Sequence, residues 1–380
     1  MKILYIQWES VGRKDLEEAF IQEGHSLLHV PLSPDELYYG EYKQIEKRLS
    51  QAMGGQADII FSVNYYPAIT EFCSKRKMRY VSWIYDYPYD WMYFGPIVNQ
   101  CNIVYIFDKE ICQEFCNAGI STVRYLPMAA NVQRLDRITN DLPFKYDISF
   151  VGNLYLGKEQ FSQRASLLTD HTRGYIDGLV AAQMKISGYN FIPEVLGPIL
   201  EEMCKVYPRY PLAGDLRSDE FVVSENIINP WISAVERMDL LEAVAKDYGV
   251  EFFTGDRDFV RPNLRNQGPV EYYDKMPAVF KQSRINLNIS LRGMRSAVPL
   301  RCFDIMGSGG FLLSNFQSGF LDMFVPGEDF VFYESKEDLL QKIGYYLAHE
   351  QERQAIAGNG YKKVARAHTY RHRVREMLDF

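Results

Sequence analysis

The chain has 380 residues, of which 47% are hydrophobic and 24% are charged, and its formal net charge is −7. This length predicts two domains, and the composition is that of a folded globular protein rather than a disordered one. An acidic chain with no basic tract is a poor candidate for binding nucleic acid or an anionic membrane. No continuous apolar stretch is long enough to predict a spanning helix, and the six cysteines show no CxxC pair. We therefore expect a reduced, cytoplasmic protein without a transmembrane segment.

The first part of the chain alternates short apolar runs with helical patterns of about 10–15 residues. Apolar runs that are continuous rather than alternating are typical of parallel strands covered on both faces by helices. The loop at residues 9–12 holds one glycine and no GxGxxG motif, which is weak support for dinucleotide binding. The predicted strands are 2–8, 26–32, 57–63, 79–85, 102–108 and 122–128.

A second α/β unit is predicted after a polar, turn-rich stretch at 141–147. The sequence YDISFVGNLYLG opens it with a strand, and residues of about 159–245 then read as a helical insertion. Strand patterns resume at 251–255, 284–290, 309–315 and 329–333. We expect domains at 1–142 and 143–365.

The stretch from Ile285 to Asn315 carries the most chemical information, and its centre is Pro299–Gly310. A strand is followed by a loop, a helix and a glycine-rich turn. Pro299 suits the first turn of a helix, and with Leu300 it would present backbone donors and a partial positive charge to a diphosphate. Arg301 in that turn would grip phosphate oxygens.

Asp304 lies one turn further along the same helix face as Arg301 and would accept hydrogen bonds from ribose hydroxyls. Gly307, Gly309 and Gly310 would permit a tight turn and close approach of the backbone to the ligand. An ordinary helix with a surface Arg301–Asp304 ion pair and a glycine cap explains the same residues equally well. The residue types alone leave these two interpretations open.

The sequence PLRCFDIMGSGGFLLSN, with the stretch from FVPGEDFVFY to YRHRV, resembles the C-terminal half of the CgeB-like, spore-maturation-type glycosyltransferases. These are relatives of the group-1 glycosyltransferases. DISFVGNLY and WIYDYP also look like strand segments of that family. The resemblance covers most of the chain, and the C-terminal motif is its more specific part.

The resemblance implies a GT-B fold, which consists of two facing Rossmann-like domains, here with the helical insertion in the second. The C-terminal domain would bind the donor nucleotide and the N-terminal domain the acceptor, and a C-terminal helix of about 366–380 would pack back on the first domain. Group-1 relatives carry a Glu-x7-Glu pair. Asp304 matches its second position, whereas Ser296 stands at the first, which leaves a retaining or inverting outcome open. Arg292 and Arg295 are candidate replacements that would face the diphosphate, although solvated loop charges are the alternative.

Three further groups complete the predicted site. Gly152 and Asn153 form a turn after a strand, at the sheet edge where open α/β folds bind ligands, although a plain strand-to-helix turn is the alternative. By analogy of position, Thr254 and Gly255 would lie near the base of the nucleotide. In the first domain, Asp86 lies among aromatic residues and is a candidate base for an acceptor hydroxyl, although a packed Tyr- and Pro-rich turn in which Asp86 caps the following segment is the alternative.

The sequence therefore predicts a hexosyl- or pentosyltransferase that uses a nucleoside-diphosphate-sugar donor and needs no further cofactor. We expect a metal-independent reaction in which arginine and the helix terminus stabilise the leaving diphosphate. The acceptor would be a glycan, a protein or a small molecule. A nucleotide-sugar epimerase or hydrolase, and a non-catalytic nucleotide-sugar-binding protein, remain as alternatives because a fold does not fix a reaction.

Overall fold

The computed structural model of the chain describes residues 1–55, 57–138, 143–155, 160–209, 214–256 and 259–379. The chain forms two compact units. Unit 1 comprises Met1–Ala129, Pro211–Leu216 and His368–Phe380, and unit 2 comprises Ala130–Tyr210 and Arg217–Ala367. The predicted boundary after residue 142 and the predicted start of the insertion at 159 lie outside the described residues.

The described residues of unit 1 form a six-stranded parallel sheet in the order β2-β1-β3-β4-β5-β6. Strands β3 and β5 are buried along their whole length, as expected for strands with helices on both faces. All six strands predicted from the sequence are present. Their bounds are β1 (Lys2–Gln7), β2 (Ser26–Pro31), β3 (Ile59–Val63), β4 (Arg79–Trp83), β5 (Asn102–Ile106) and β6 (Val123–Tyr125).

Some helices of unit 1 begin at residues whose side chains cap them. Ser33 and Glu36 form a reciprocal capping box at α2, and the Asp108 side chain accepts backbone hydrogen bonds at the start of α5. The C-terminal helix α16 packs against α1, where Arg371 and Arg375 bind Glu23. The helices are α1 (Arg13–Gln22), α2 (Pro34–Tyr39), α3 (Tyr42–Met53), α4 (Pro67–Arg76), α5 (Lys109–Asn117) and, at the end of the chain, α16 (Tyr370–Leu378).

The described residues of unit 2 also form a six-stranded parallel sheet, in the order β12-β11-β10-β7-β8-β9. Strand β9 was missed because it has three residues and lies in a polar stretch, and β11 begins at Leu312 rather than at residue 309. The strands are β7 (Tyr146–Val151), β8 (Val250–Phe253), β9 (Leu264–Asn266), β10 (Ser283–Asn288), β11 (Leu312–Asn315) and β12 (Val331–Tyr333).

Between β7 and β8 the described residues form helices and no strand, with their own buried cluster of apolar side chains. A π-helical turn at Val223–Ile228 leads directly into α11. No helix in the described ranges is both long and apolar enough to cross a membrane. The helices of unit 2 are α6 (Val132–Arg137), α7 (Gln160–Arg164), α8 (Asp170–Gln183), α9 (Leu200–Val206), α10 (Asp219–Val222), α11 (Asn229–Asp247), α12 (Lys275–Gln282), α13 (Leu300–Gly307), α14 (Lys336–Ala348) and α15 (Glu350–Ala367).

Candidate functional site

The candidate donor site lies at the carboxyl edge of the sheet in unit 2. Strands β10, β7 and β8 are neighbours in that sheet, so the turns that follow them lie side by side. Open α/β sheets bind their ligands at this edge. Helix α13 follows β10 and returns toward the other edge, which places its N-terminus among the same turns. The strand order thus brings together the turns at 152–153 and 254–255 and the start of α13.

Helix α13 begins at Leu300, and Pro299 is the residue that precedes it rather than its first helical residue. Pro299 has an extended conformation with ψ of 151°, and its carbonyl accepts a hydrogen bond from the N–H of Cys302. No side chain caps this helix end. The first turn therefore retains the partial positive charge that favours an anion.

Arg301 connects α13 with the turn after β7. Its Nη1 donates to the carbonyl oxygen of Val151, the last residue of β7. Its Nε is buried and has no hydrogen-bond partner among the described residues. A guanidinium that is only partly satisfied at a helix N-terminus has donors to spare for a phosphate oxygen.

A second arginine, Arg237 on α11, lies in the same cluster and was missed by the sequence analysis. Its Nε and Nη2 donate to the carbonyl of Ile289, at 3.1 and 2.6 Å, and its Nη1 donates to the carbonyl of Asn153. The guanidinium also packs over the Tyr155 ring, at 5.2 Å from the centroid. Burial lowers the pKa of Arg237, and the charge of Arg301 lowers it further. The two cations are thus close enough to repel each other.

Neither Arg237 nor Arg301 forms an ion pair within the described ranges, since each uses neutral carbonyl groups as partners. Glu236 does attract Arg237, but two nitrogens of Arg292 hold its carboxylate. One buried and one half-buried positive charge, neither with a carboxylate of its own, are costly unless an anion compensates them. This arrangement favours an anionic ligand, and a diphosphate has the charge and the oxygens to match.

The Arg292 side chain is held by other residues, so it is not available for its predicted contact with the diphosphate. Its Nε donates to Glu236 at 2.7 Å and its Nη1 to the carbonyl of Ile186 at 2.8 Å. Its backbone N–H donates to Ser233. The side chain is 11% exposed and fully engaged, so Arg292 anchors the loop after β10 to α11. The partner Glu236 was not identified from the sequence. Arg295 lies half-buried in the same loop, and its phosphate role stays a prediction.

The turns after β7 and β8 lie against each other. A Cβ atom built on Gly255 would stand 3.9 Å from Oδ1 of Asn153, and both residues are exposed. Asp256 holds the two turns together, because it accepts the N–H of Leu154 at 2.6 Å and the hydroxyl of Thr254 at 3.1 Å. Thr254 is therefore buried and structural, whereas Asn153 and Gly255 form the open surface.

Gly152 continues the sheet from β7, since its N–H donates to the carbonyl of Phe253 at 3.1 Å. A Cβ atom at Gly152 would approach the ring of Phe150 to 3.2 Å. The position therefore favours glycine for packing reasons as well as for access of a ligand to the backbone.

Asp304 is nearly fully buried, with 1% exposure, and accepts a hydrogen bond from the Tyr272 hydroxyl at 3.1 Å. The alternative of a surface Arg301–Asp304 ion pair does not hold, because Arg301 binds Val151 instead. A ribose at Asp304 would have to displace or share the Tyr272 hydroxyl. Ser296 is also buried, and its carbonyl accepts the N–H of Gly319 at 3.0 Å.

Gly309 lies at the wrong end of α13 for its predicted ligand contact. It has a φ of 76° just beyond the helix, and its N–H donates to the carbonyl of Met306 at 2.9 Å. The helix has eight residues, which is about 12 Å, so Gly309 is far from Pro299 and at the amino edge of the sheet. Its left-handed conformation explains the glycine as a helix terminator.

In unit 1, Asp86 follows β4 and is paired with Asn64, which follows the neighbouring strand β3. Nδ2 of Asn64 donates to the Asp86 carboxylate at 2.7 Å, and its Oδ1 accepts the backbone N–H of Tyr85 at 2.8 Å. Asn64 has a φ of 62°, which asparagine tolerates better than most residues. Asn64 was not identified from the sequence.

Asp86 is open to solvent on one side, yet the protein groups around its carboxyl displace enough water to raise its pKa. The hydrogen bond from Asn64 acts in the opposite direction. A carboxylate with a raised pKa and a fixed orientation is suited to accepting a proton. Both residues lie at the carboxyl edge of the sheet in unit 1.

Comparison with known proteins is consistent with this description. A family model described as "Glycosyl transferase-like" matches residues 236–379. No curated protein matches the sequence.

Among solved structures, a glycosyltransferase from Rickettsia africae aligns with 100% of this chain and 97% of its own, with a TM-score of 0.57 and 10% identity. Anabaena HepE, solved in complex with UDP and glucose, aligns over 100% and 99% with a TM-score of 0.54 and 11% identity. Sucrose-phosphate synthase from Thermosynechococcus elongatus aligns over 99% and 97% with a TM-score of 0.50 and 12% identity. With the two parallel six-stranded sheets, these similarities establish that the chain has the GT-B fold.

Proposed function

We propose that the protein is a glycosyltransferase that moves a sugar from a nucleoside-diphosphate-sugar donor to an acceptor hydroxyl. The observation that carries this proposal is the pair of arginines, Arg237 and Arg301, at the carboxyl edge of the second sheet. Both are held by carbonyl groups and lie beside an uncapped helix N-terminus. The glycosyl transferase-like model over residues 236–379 and the UDP and glucose bound by HepE support the same class of ligand.

In this proposal the diphosphate lies against Arg301, the first turn of α13 and the exposed turns at Asn153 and Gly255. Arg237 holds the turns after β7 and β10 in place and adds positive charge. The leaving nucleoside diphosphate gains negative charge as the glycosidic bond breaks, so fixed positive groups stabilise the transition state more than the ground state. The reaction would therefore need neither a metal ion nor another cofactor.

The acceptor hydroxyl would bind at Asp86 in unit 1. As the acceptor oxygen attacks the anomeric carbon, its proton passes to the Asp86 carboxylate. Asn64 orients that carboxylate. Its hydrogen bond also keeps the pKa of Asp86 lower than burial alone would make it. The same proposal includes membership of the CgeB-like enzymes. It also includes transfer of a hexosyl or pentosyl group and a cytoplasmic location.

The test is a thermal-shift screen with UDP-, GDP-, dTDP- and CMP-sugars, followed by a transfer assay with the sugar that stabilises the protein most. A ligand that binds the native state raises the melting temperature in proportion to its affinity and concentration. We expect one class of nucleotide sugar to bind and to be consumed. Binding without any transfer or hydrolysis would instead favour a non-catalytic nucleotide-sugar-binding protein.

A further inference from the structure

Unit 1 contains a groove of about 470 Å³ that the proposed chemistry does not yet use. Helix α2, helix α4 and the loop at residues 91–99 form its walls. The groove starts near the N-terminus of α4, at Pro67, and continues along the outer face of that helix to Ser74 and Lys75. It is large enough for a ligand of two or three sugar rings.

One wall of the groove is aromatic. The rings of Tyr38 and Trp91 are stacked, with centroids 4.8 Å apart and an interplanar angle of 4°. Tyr42 adds a third ring, and Leu37 and Pro96 add further apolar surface. Aromatic groups with polar edges suit a ligand that has both C–H surfaces and hydroxyl groups.

The other wall is polar but carries no surplus charge. Lys75 and Glu71 form an ion pair at 2.7 Å, and the Lys75 ammonium also lies 4.4 Å from the centre of the Tyr42 ring. The Tyr42 hydroxyl is buried and interacts with the Lys75 side chain. Ser74 and Asn99 add neutral donors and acceptors. A phosphate would find a cation that is already paired, whereas a purely apolar ligand would leave these polar groups without water.

We propose that this groove binds a neutral carbohydrate. The identification of the groove as an acceptor site rests on the proposed transferase function. In that case the groove binds the sugar units of a glycan acceptor that neighbour the unit carrying the reacting hydroxyl. Of the three acceptor classes that the sequence left open, the groove therefore selects a glycan.

A chain of contacts leads from the groove to Asp86. The hydroxyls of Tyr38 and Tyr89 lie 2.7 Å apart, and Tyr89 in turn donates to the carbonyl of Tyr65. Tyr65 follows Asn64, the residue that holds the Asp86 carboxylate. The aromatic wall and the candidate base thus share one rigid framework, so a glycan in the groove would have a defined position relative to Asp86.

The experiment is saturation-transfer NMR on the full chain with maltotriose, cellotriose and tri-N-acetylchitotriose as neutral probes and glucose 6-phosphate as the anionic probe. Ser74 is exposed on α4, so Ser74→Trp fills the groove without disturbing the core. We expect at least one trisaccharide to bind the unmodified protein, and its affinity to fall at least about tenfold in Ser74→Trp.

Lys75→Met is a second variant that keeps the length of the side chain and removes its donors. We expect it to weaken the same trisaccharide about tenfold. Lys205→Met is the matched control, because Lys205 forms the same kind of exposed i,i+4 ion pair with Glu201 in unit 2, at 2.6 Å. It should leave carbohydrate binding unchanged.

Failure of all three trisaccharides to bind, preferential binding of glucose 6-phosphate, or binding that survives Ser74→Trp would overturn the carbohydrate groove. None of these results bears on the donor site, because nucleotide binding is measured separately by calorimetry and Ser74→Trp should leave it intact. Conversely, if no nucleotide sugar binds but a trisaccharide still does, the groove binds carbohydrate and the proposed transferase function is wrong.

Discussion

Replacing Arg301 by methionine separates ligand binding from fold stability at the candidate donor site. In the folded protein Arg301 makes one hydrogen bond, to the carbonyl of Val151, while its Nε has no partner among the described residues. Losing that bond costs about 1 kcal/mol of stability, and relief of the repulsion with Arg237 offsets part of it. A charge-assisted bond to a phosphate contributes about 1.5–3 kcal/mol. Nucleotide affinity should therefore fall roughly 10- to 150-fold.

Arg292→Met provides the contrasting variant from the same region. Glu236 is 6% exposed in its side chain and would lose its guanidinium partner, which typically costs about 3–5 kcal/mol for a buried pair. We expect a clearly lower melting temperature for Arg292→Met and a nearly unchanged one for Arg301→Met. Calorimetric titration with the preferred nucleoside diphosphate, at fixed ionic strength, measures the affinities. Nucleotide binding by Arg301→Met that is as tight as in the unmodified protein would exclude Arg301 as a phosphate ligand.

Three further predictions concern the reaction and the backbone. Asp86→Asn keeps an oxygen that accepts the hydrogen bond of Asn64 but removes the base. The kcat should therefore fall about 10²- to 10⁴-fold while nucleotide affinity is unchanged. Activity equal to that of the unmodified protein would exclude Asp86 as the base. Gly309→Ala should lower the free energy of unfolding by about 1 kcal/mol because the φ of Gly309 is 76°, and transfer activity should be retained. A selective loss of donor affinity would instead indicate that Gly309 contacts the donor. Treatment with EDTA should leave transfer unchanged, and activity restored by Mg²⁺ or Mn²⁺ would contradict metal independence.

The raised pKa of Asp86 also fixes the direction of a pH dependence. A base acts in its deprotonated form, so the rate should increase with pH as Asp86 ionises, with a midpoint above the ordinary value of 3.8. The folded state holds this proton more tightly than the unfolded chain does. Its contribution to stability is therefore present at low pH and is lost as the pH rises through the folded-state pKa. In Asp86→Asn this rising limb of the rate profile should disappear.

Much of the fold could be predicted because its signals are local. Continuous apolar strands alternating with helices identified both sheets. Among the strands of the described residues only the three-residue β9 was missed, since a strand so short leaves no periodic pattern. The start of α13 was located to within one residue through Pro299, a residue whose geometry is intrinsic.

The missed parts of the site depend on contacts between distant segments. Arg237 lies in the helical insertion, and nothing in its neighbourhood distinguishes it from a solvent-exposed arginine until α11 packs beside the ends of β7 and β10. Arg292 was misassigned for the same reason, because its partner Glu236 lies 56 residues away. Asn64 and Asp86 meet only through the pairing of β3 with β4. Gly309 was misplaced because a glycine beside a ligand and a glycine at a helix end look alike in the sequence.

The most direct test of the donor site is a crystal structure with the nucleoside diphosphate that gives the largest thermal shift. We predict density for the diphosphate at the N-terminus of α13, with phosphate oxygens within hydrogen-bond distance of Arg301 and beside the turns at Asn153 and Gly255. Density for the diphosphate at any other place on unit 2, or on unit 1, would contradict the account.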